Sequence, residues 1–304
     1  MHIVTHRKIF YTISLALVLL SLIAFVIPGP TYGIDFKGGS VLEVSYPGAR
    51  PAQQDVSTAI DTLGLGGYSL RPVSDSIYNV RTREISEVEK QNLLNALSLD
   101  GTIELREEQF NSVGPVIGRE LRTKAFLAIA VTILGIVLYI TFAFRKVSAP
   151  VASWKYGLAT IIALAHDIII SAGLFILFAP LFGGEVDLLF ITALLAILGY
   201  SVHDTIVVFD RVREHLAKAK DSRAHRDFGS IVGESIEETF GRSINTSLTI
   251  FLVLLALYFV GGEATQHFSL LLLIGIIAGT YSSIFIASPL LATFEKWQSR
   301  TKKT

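Results

Sequence analysis

The sequence predicts an α-helical membrane protein: a bundle of six transmembrane helices with an α+β domain inserted between the first and the second. Three observations carry that class. Hydrophobic residues make up 51% of the chain and charged ones 17%, at a mean hydropathy of +0.54, which is too apolar for an ordinary soluble globule. Six runs, 9–27, 125–144, 157–179, 188–209, 243–261 and 268–292, reach the ~20 mostly apolar residues that a bilayer span needs. Between the first two runs lies a polar stretch, 28–124, whose periodicity alternates between strand and helix.

The first run follows His6, Arg7 and Lys8 and so looks like a signal peptide, but it leaves through "VIPGPTYG" without a small-x-small cleavage site. An uncleaved anchor is expected. The polar stretch then reads as strand "VLEVSY" (41–46), helix "PAQQDVSTAIDTLG" (51–64), strands "YSLRPV" (68–73) and "IYNVRT" (77–82), helix "SEVEKQNLLNAL" (86–97) and strand "TIELREEQF" (102–110). That order, βαββαβ, is the ferredoxin-like pattern of a small two-layer domain. Asp55, Ser57, Glu104, Glu107 and Glu108 offer polar groups there, and a solvated surface accounts for them.

Lys and Arg in the short loops set the orientation. One side holds Arg7 and Lys8, then Arg145, Lys146 and Lys155, then Arg211, Arg213, Lys218, Lys220, Arg223, Arg226 and Arg242, then Lys296, Arg300, Lys302 and Lys303. The loops "PLFGGEVD" and "GGEATQH" hold none. Both termini are therefore expected in the cytoplasm and the polar domain outside. The chain divides into 1–27 (amino terminus and first span), 28–124 (outer domain), 125–292 (spans two to six, with a cytoplasmic loop at 210–242) and a cytoplasmic tail, 293–304.

Several chemistries are excluded. No cysteine is present, so disulfides, thiolate metal sites and thiol catalysis drop out. No Gly-Lys dipeptide exists for a P-loop, and Gly-x-Ser-x-Gly, His-Glu-x-x-His and Gly-x-Gly-x-x-Gly are missing too. A non-enzymatic chain without an organic cofactor or metal is expected. A net charge of zero argues for no nucleic-acid partner.

Glycines mark structural joints. Gly38 and Gly39 in "GIDFKGGSVLE" permit a turn into the first strand, and Gly114 with Pro115 punctuates the return to the membrane. Gly199 opens the polar part of the fourth span. Gly275 and Gly279 in "GIIAG" have the small-xxx-small spacing of closely approaching helices, which packing within the bundle explains.

Intramembrane acids are functional candidates, because a carboxylate in hydrocarbon costs about 2.5–3.5 kcal/mol even on lenient scales. "ALAHDIIIS" puts Asp167, beside His166, about 15 Å into the third span, near mid-bilayer. "LGYSVHDTIVVFDRVRE" puts Asp204, beside His203, about 24 Å down the fourth, in the inner half. Tyr200, Ser201 and Thr205 surround the second acid. Arg242, in "ETFGRSINTSLT", reaches the depth of Asp204 if the fifth helix starts a turn early. The bland alternative is that each acid hydrogen-bonds two helices together and that Arg242 is an inner-surface anchor. Two Asp-His neighbours on consecutive spans favour a proton or ion relay of Asp204, Arg242, His203 and Asp167.

Taken together, "GIDFKGGSVLE", "SVGPVIGREL", "ALAHDIIIS", "LGYSVHDTIVVFDRVRE", "RSINTSLT" and "GTYSSIFIASPL" resemble the SecD/SecF family of protein-export membrane proteins, over nearly the whole chain. That family belongs to the resistance-nodulation-division transporters. The resemblance implies a subunit of the bacterial inner membrane that pairs with SecD beside the SecYEG channel, with YajC as a further partner. It implies that the pair uses the proton-motive force, or a Na+ gradient, to draw secretory precursors onward after the SecA motor, in ATP-independent late steps of export. The family's functional acid and arginine fall on Asp204 and Arg242, and a second relay acid lies on SecD. One position departs: the family asparagine before the acid is His203, a titratable side chain that bears on the coupling ion. The competing functions are an exporter of small molecules or lipids, and an assembly factor that binds nascent chains without transport.

Overall fold

The computed structural model describes residues 2–145, 151–221 and 226–301. Along the chain run α1 (His2–Thr5), α2 (Arg7–Ala24), α3 (Ile34–Lys37), β1 (Gly39–Ser45), α4 (Gln53–Asp61), β2 (Ser69–Pro72), β3 (Ile77–Thr82), α5 (Glu87–Leu97), β4 (Arg106–Val113), α6 (Pro115–Ala143), α7 (Ser153–Phe182), α8 (Leu188–Asp221), α9 (Phe228–Val260) and α10 (Glu263–Ser282). A π-helical turn, Ser283–Ala287, joins α10 to α11 (Ser288–Thr301). The chain forms two compact units, residues 32–126 and the remainder.

The smaller unit has the expected element order, preceded by the short α3. Its four strands are all antiparallel, in the order β2-β3-β1-β4. Leu42 lies opposite Val80 and Val44 opposite Tyr78. With Val56, Ile60, Leu93 and Leu97 of the two helices, these side chains make a buried core. Ser86 caps α5 in a box with Glu89, each satisfying a backbone N–H of the other. The last strand starts at Arg106 rather than 102, because 98–105 is a turn with Leu99 and Asp100 at positive φ (49° and 56°). Gly38 (φ +79°) and Gly39 (φ +128°) are required where they stand. A Cβ on Gly38 would lie 2.9 Å from Pro115 Cα, and one on Gly39 2.7 Å from the Thr82 carbonyl oxygen.

Among the described residues six helices are long and apolar enough to cross a membrane. They are unequally enclosed: 50% to 67% of the most apolar window is buried in α7, α8 and the α10–α11 run, against 11% to 17% in α2, α6 and α9. The three inner helices are tied by small residues. A Cβ on Gly275 would strike Ile197 at 2.2 Å and one on Gly279 would come 3.2 Å from Ser201, so both glycines hold α10 against α8. A Cβ on Gly173 of α7 would lie 2.3 Å from Ser21 Cβ of α2, so this glycine lets α2 seat against α7. Towards one end Phe144 stacks on Tyr156 and Phe209 meets both edge-on within a large apolar cluster.

The segment 210–242, expected as a loop, is mostly helix: α8 continues to Asp221 and α9 begins at Phe228. Local charge pairing extends α8 past its apolar run, through Arg211 with Glu214, Arg213 with Asp210, and Lys218 with Glu214 at 2.7 Å. Asp227 starts α9 by accepting the Ser230 N–H at 3.0 Å. Of the residues read for orientation, Lys146, Arg223, Lys302 and Lys303 lie outside the described residues.

Candidate functional site

The inner helices carry both acids. On α8 the three- and four-residue spacings put Ser201, Asp204 and Thr205 on one side of the helix, and all three are buried. Asp167 of α7 is fully buried and Asp204 is 5% exposed. Two different environments result.

Asp167 is saturated. Its Oδ2 accepts the Ser201 hydroxyl of α8 at 2.5 Å and the Ser282 hydroxyl of α10 at 2.7 Å, and its Oδ1 faces Nδ1 of His166 at 2.8 Å. Three helices are thereby clasped at one carboxyl group. The π turn extends the clasp, for the next residue, Ser283, meets Thr205 at 2.8 Å and donates to the Ser201 carbonyl at 3.3 Å. Two consecutive serines thus serve two neighbouring nests, at the kind of helix irregularity that often marks functional sites.

Asp204 is half satisfied. Its Oδ1 accepts the Ser243 hydroxyl of α9 at 2.6 Å, and its Oδ2 is buried with no hydrogen-bond partner among the described residues. Such an atom is rare in a folded interior and calls for a functional explanation. Arg242 precedes Ser243 on α9, so the arginine does share the depth of Asp204. It is exposed and makes no ion pair with Asp204 among the described residues. His203 is also exposed, on the outside of α8. Both side chains remain close enough to act on Asp204 electrostatically. The structure therefore gathers Asp204 with Ser243, flanks the pair with His203 and Arg242, and holds Asp167 in a separate nest.

Hydroxyls make up much of the site, and several were not singled out from the sequence. Ser247 donates to the Ser243 carbonyl at 2.7 Å, meets Thr280 of α10 at 2.6 Å and takes Tyr200 of α8 at 2.5 Å. Ser235, Thr239, Ser243 and Ser247 are all buried at four-residue intervals on α9. That periodic hydroxyl stripe inside an apolar run is the signal that would have found them. Gly199 has open space where a Cβ would stand, while Gly114 has the Glu84 carboxylate 3.4 Å from that point.

For a metal, one trio among the described residues, His215, Glu234 and Glu238, brings ligand atoms within 4.8 Å of one another. The chemistry fits an ion-pair staple between α8 and α9 better. The two ring nitrogens face different glutamates, at 3.5 and 3.1 Å, and Arg226 and Arg211 already occupy the carboxylates. In the smaller unit Glu107 pairs with Lys90 at 2.8 Å and Glu108 accepts from Ser45, as solvated sheet residues do.

Residues 95–297 match the model of the family described as protein export membrane protein SecD/SecF, C-terminal, and residues 23–46 match the SecD/SecF GG motif, which includes Gly38 and Gly39. The protein translocase subunit SecF of Thermobaculum terrenum is 42% identical over 96% of this chain and 93% of its own length. That of a Synechocystis species is 36% identical over 95% and 92%. Among solved structures, the crystal structure of SecDF, a translocon-associated membrane protein from Thermus thermophilus, superposes with a TM-score of 0.79 at 32% identity, covering 99% of this chain. The chain spans 39% of that SecDF chain.

Proposed function

Because the chain belongs to the SecD/SecF protein-export family, we propose that it serves as the SecF-type subunit of a protein translocase, promoting late, ATP-independent steps of export together with SecD. The coupling ion in this reading is H+, with Na+ as the alternative. The chain sits in the bacterial inner membrane with both termini cytoplasmic, which the Lys/Arg asymmetry of its short loops supports. The smaller unit is a periplasmic, ferredoxin-like domain, a reading supported by its βαββαβ order and its all-antiparallel β2-β3-β1-β4 sheet. SecYEG, SecA-driven precursors and YajC are its further partners. The chain has no covalent chemistry of its own to perform.

One observation carries the coupling role: Asp204 is a buried carboxyl group in a membrane span with one oxygen bonded to Ser243 and the other without a partner. Burial without compensation disfavours charge, whereas a proton on the open oxygen removes it. Protonation also converts the Ser243 contact from a charge-assisted bond to a neutral one of roughly half the strength. The α8–α9 contact thus responds to ion occupancy, and each charge crossing the membrane brings about 2.3 kcal/mol per 100 mV. His203 and Arg242, exposed beside the acid, lie on the surface that SecD would cover. Asp167 is a further relay carboxylate within this chain, besides the acid that SecD would supply, and holds the frame in which Asp204 works.

The test is Asp204→Asn, co-expressed with SecD in cells lacking their own pair, with precursor export followed in inverted vesicles with and without a proton gradient. Loss of the gradient-dependent increment with assembly intact is the expected result. A full response to the gradient would make Asp204 a packing residue in a chain that only binds and assembles.

A further inference from the structure

His166 is a buried titratable residue that the Asp204 step leaves unused. It is 6% exposed, and its two ring nitrogens differ. Nδ1 faces Asp167 Oδ1 at 2.8 Å, while Nε2 is buried with no hydrogen-bond partner among the described residues. The helix packed on that region, α2, carries two more such atoms, the hydroxyls of Ser14 and Ser21. Two contacts set the register of α2 against α7. Ser21 seats on Gly173, and Tyr281 both stacks on His166, with centroids 6.2 Å apart, and donates to the Phe10 carbonyl at 3.0 Å. The helices therefore run parallel. Stepping back seven residues, about 10.5 Å, from Ser21 and from Gly173 reaches Ser14 and His166, so the Ser14 hydroxyl and the His166 ring fall in one layer of the interface, one two-turn step from the Ser21 hydroxyl.

We propose that His166 carries protons between the α2 side of the bundle and Asp167. A proton arriving at Nε2 makes the imidazolium, and the Nδ1 proton then passes to Asp167 Oδ1. This leaves the neutral Nε2–H tautomer and a neutral carboxyl group, so that one proton has moved and no charge is created. Ser201 and Ser282 then donate to a neutral acid instead of an anion, which weakens the clasp on α8 and α10. The titratable groups recorded against His166 are Asp167 on its own helix and Tyr281 on α10, and α8 brings the Ser201 hydroxyl to the same Asp167. His166 thus makes the Asp167 clasp proton-sensitive, separately from Asp204. This inference rests on the ion-coupling reading above.

His166→Asn and His166→Gln keep an N–H donor for Asp167 but carry no exchangeable ring proton. In the SecD complex, in inverted vesicles, the gradient-dependent part of export should fall about tenfold or more in both, with gradient-independent export and assembly retained. Infrared spectra of the wild-type complex in proteoliposomes should gain a protonated-carboxyl band on acidification, which Asp167→Asn removes and His166→Asn shifts to a different pH. If both histidine variants keep the gradient response while Asp204→Asn abolishes it, His166 is a packing residue and the proposal falls alone. If Asp204→Asn also keeps the response, the coupling reading has failed, and the infrared band decides the proposal: absent, or unmoved by His166→Asn, it overturns it.

Discussion

The two buried acids of the bundle, Asp167 on α7 and Asp204 on α8, are the same side chain in neighbouring places with opposite bonding. Asp167 has contacts from three side chains spread over both oxygens, while Asp204 has, among the described residues, one donor on one oxygen and nothing on the other. A saturated carboxylate resists change, because every bond it makes must be broken to alter it. A half-satisfied one sits near a balance that a proton can tip. The contrast leaves Asp204 open at one oxygen and Asp167 reachable by a proton only through its neighbour His166, although sequence context treats the two acids alike, each beside a histidine in an apolar span.

The largest effect that could break this comparison is on stability. Asp167→Ala strands Ser201, Ser282 and His166 together and should cost about 3–5 kcal/mol, as the loss of one partner from a buried ionic group does. Denaturant titration in detergent should show it, and a cost below that of Ser243→Ala would reverse the contrast. Gly275→Leu comes next. With Ile197 at 2.2 Å from its Cβ position, overpacking should cost about 1–3 kcal/mol and separate α10 from α8 on thermal melting. Ser243→Ala should cost about 1–3 kcal/mol by leaving both oxygens of Asp204 without a donor, and should depress the gradient-dependent part of export more than the rest.

The smallest effect belongs to the smaller unit and sharpens the comparison with an acid that is not on an apolar helix. Glu89 is held at about 2, against an ordinary 4.5, first by the Arg83 guanidinium and then by the Ser86 backbone N–H. Its pKa is lower in the folded state, so its contribution is complete above about pH 4.5 and lost as pH falls through about 2. Glu89→Gln should therefore lower the melting temperature of this unit slightly at pH 7, and the gap should close on acidification. A gap that widens instead would mean that the Ser86–Glu89 box does not hold the start of α5.

Much of this molecule was determined by the sequence alone. Six apolar runs and a polar insertion of alternating period dictate six spans and a small sheet-and-helix unit, because hydrophobic length and periodicity are local properties. Gly38, Gly39, Gly275 and Gly279 were also legible, since a missing Cβ is meaningful wherever backbones must turn or approach. Helix ends were not, because charge pairs such as Lys218 with Glu214 carry α8 beyond its apolar run. Only the tertiary structure decided which acid is saturated and which is open. The hydroxyl donors to Asp167 come from residues 34 and 115 positions away, and the hydroxyl donor to Asp204 from 39 positions away. Partners so distant in sequence meet only through helix packing, and a hydrogen bond acts over about 3 Å, so no local pattern records which oxygen will find one.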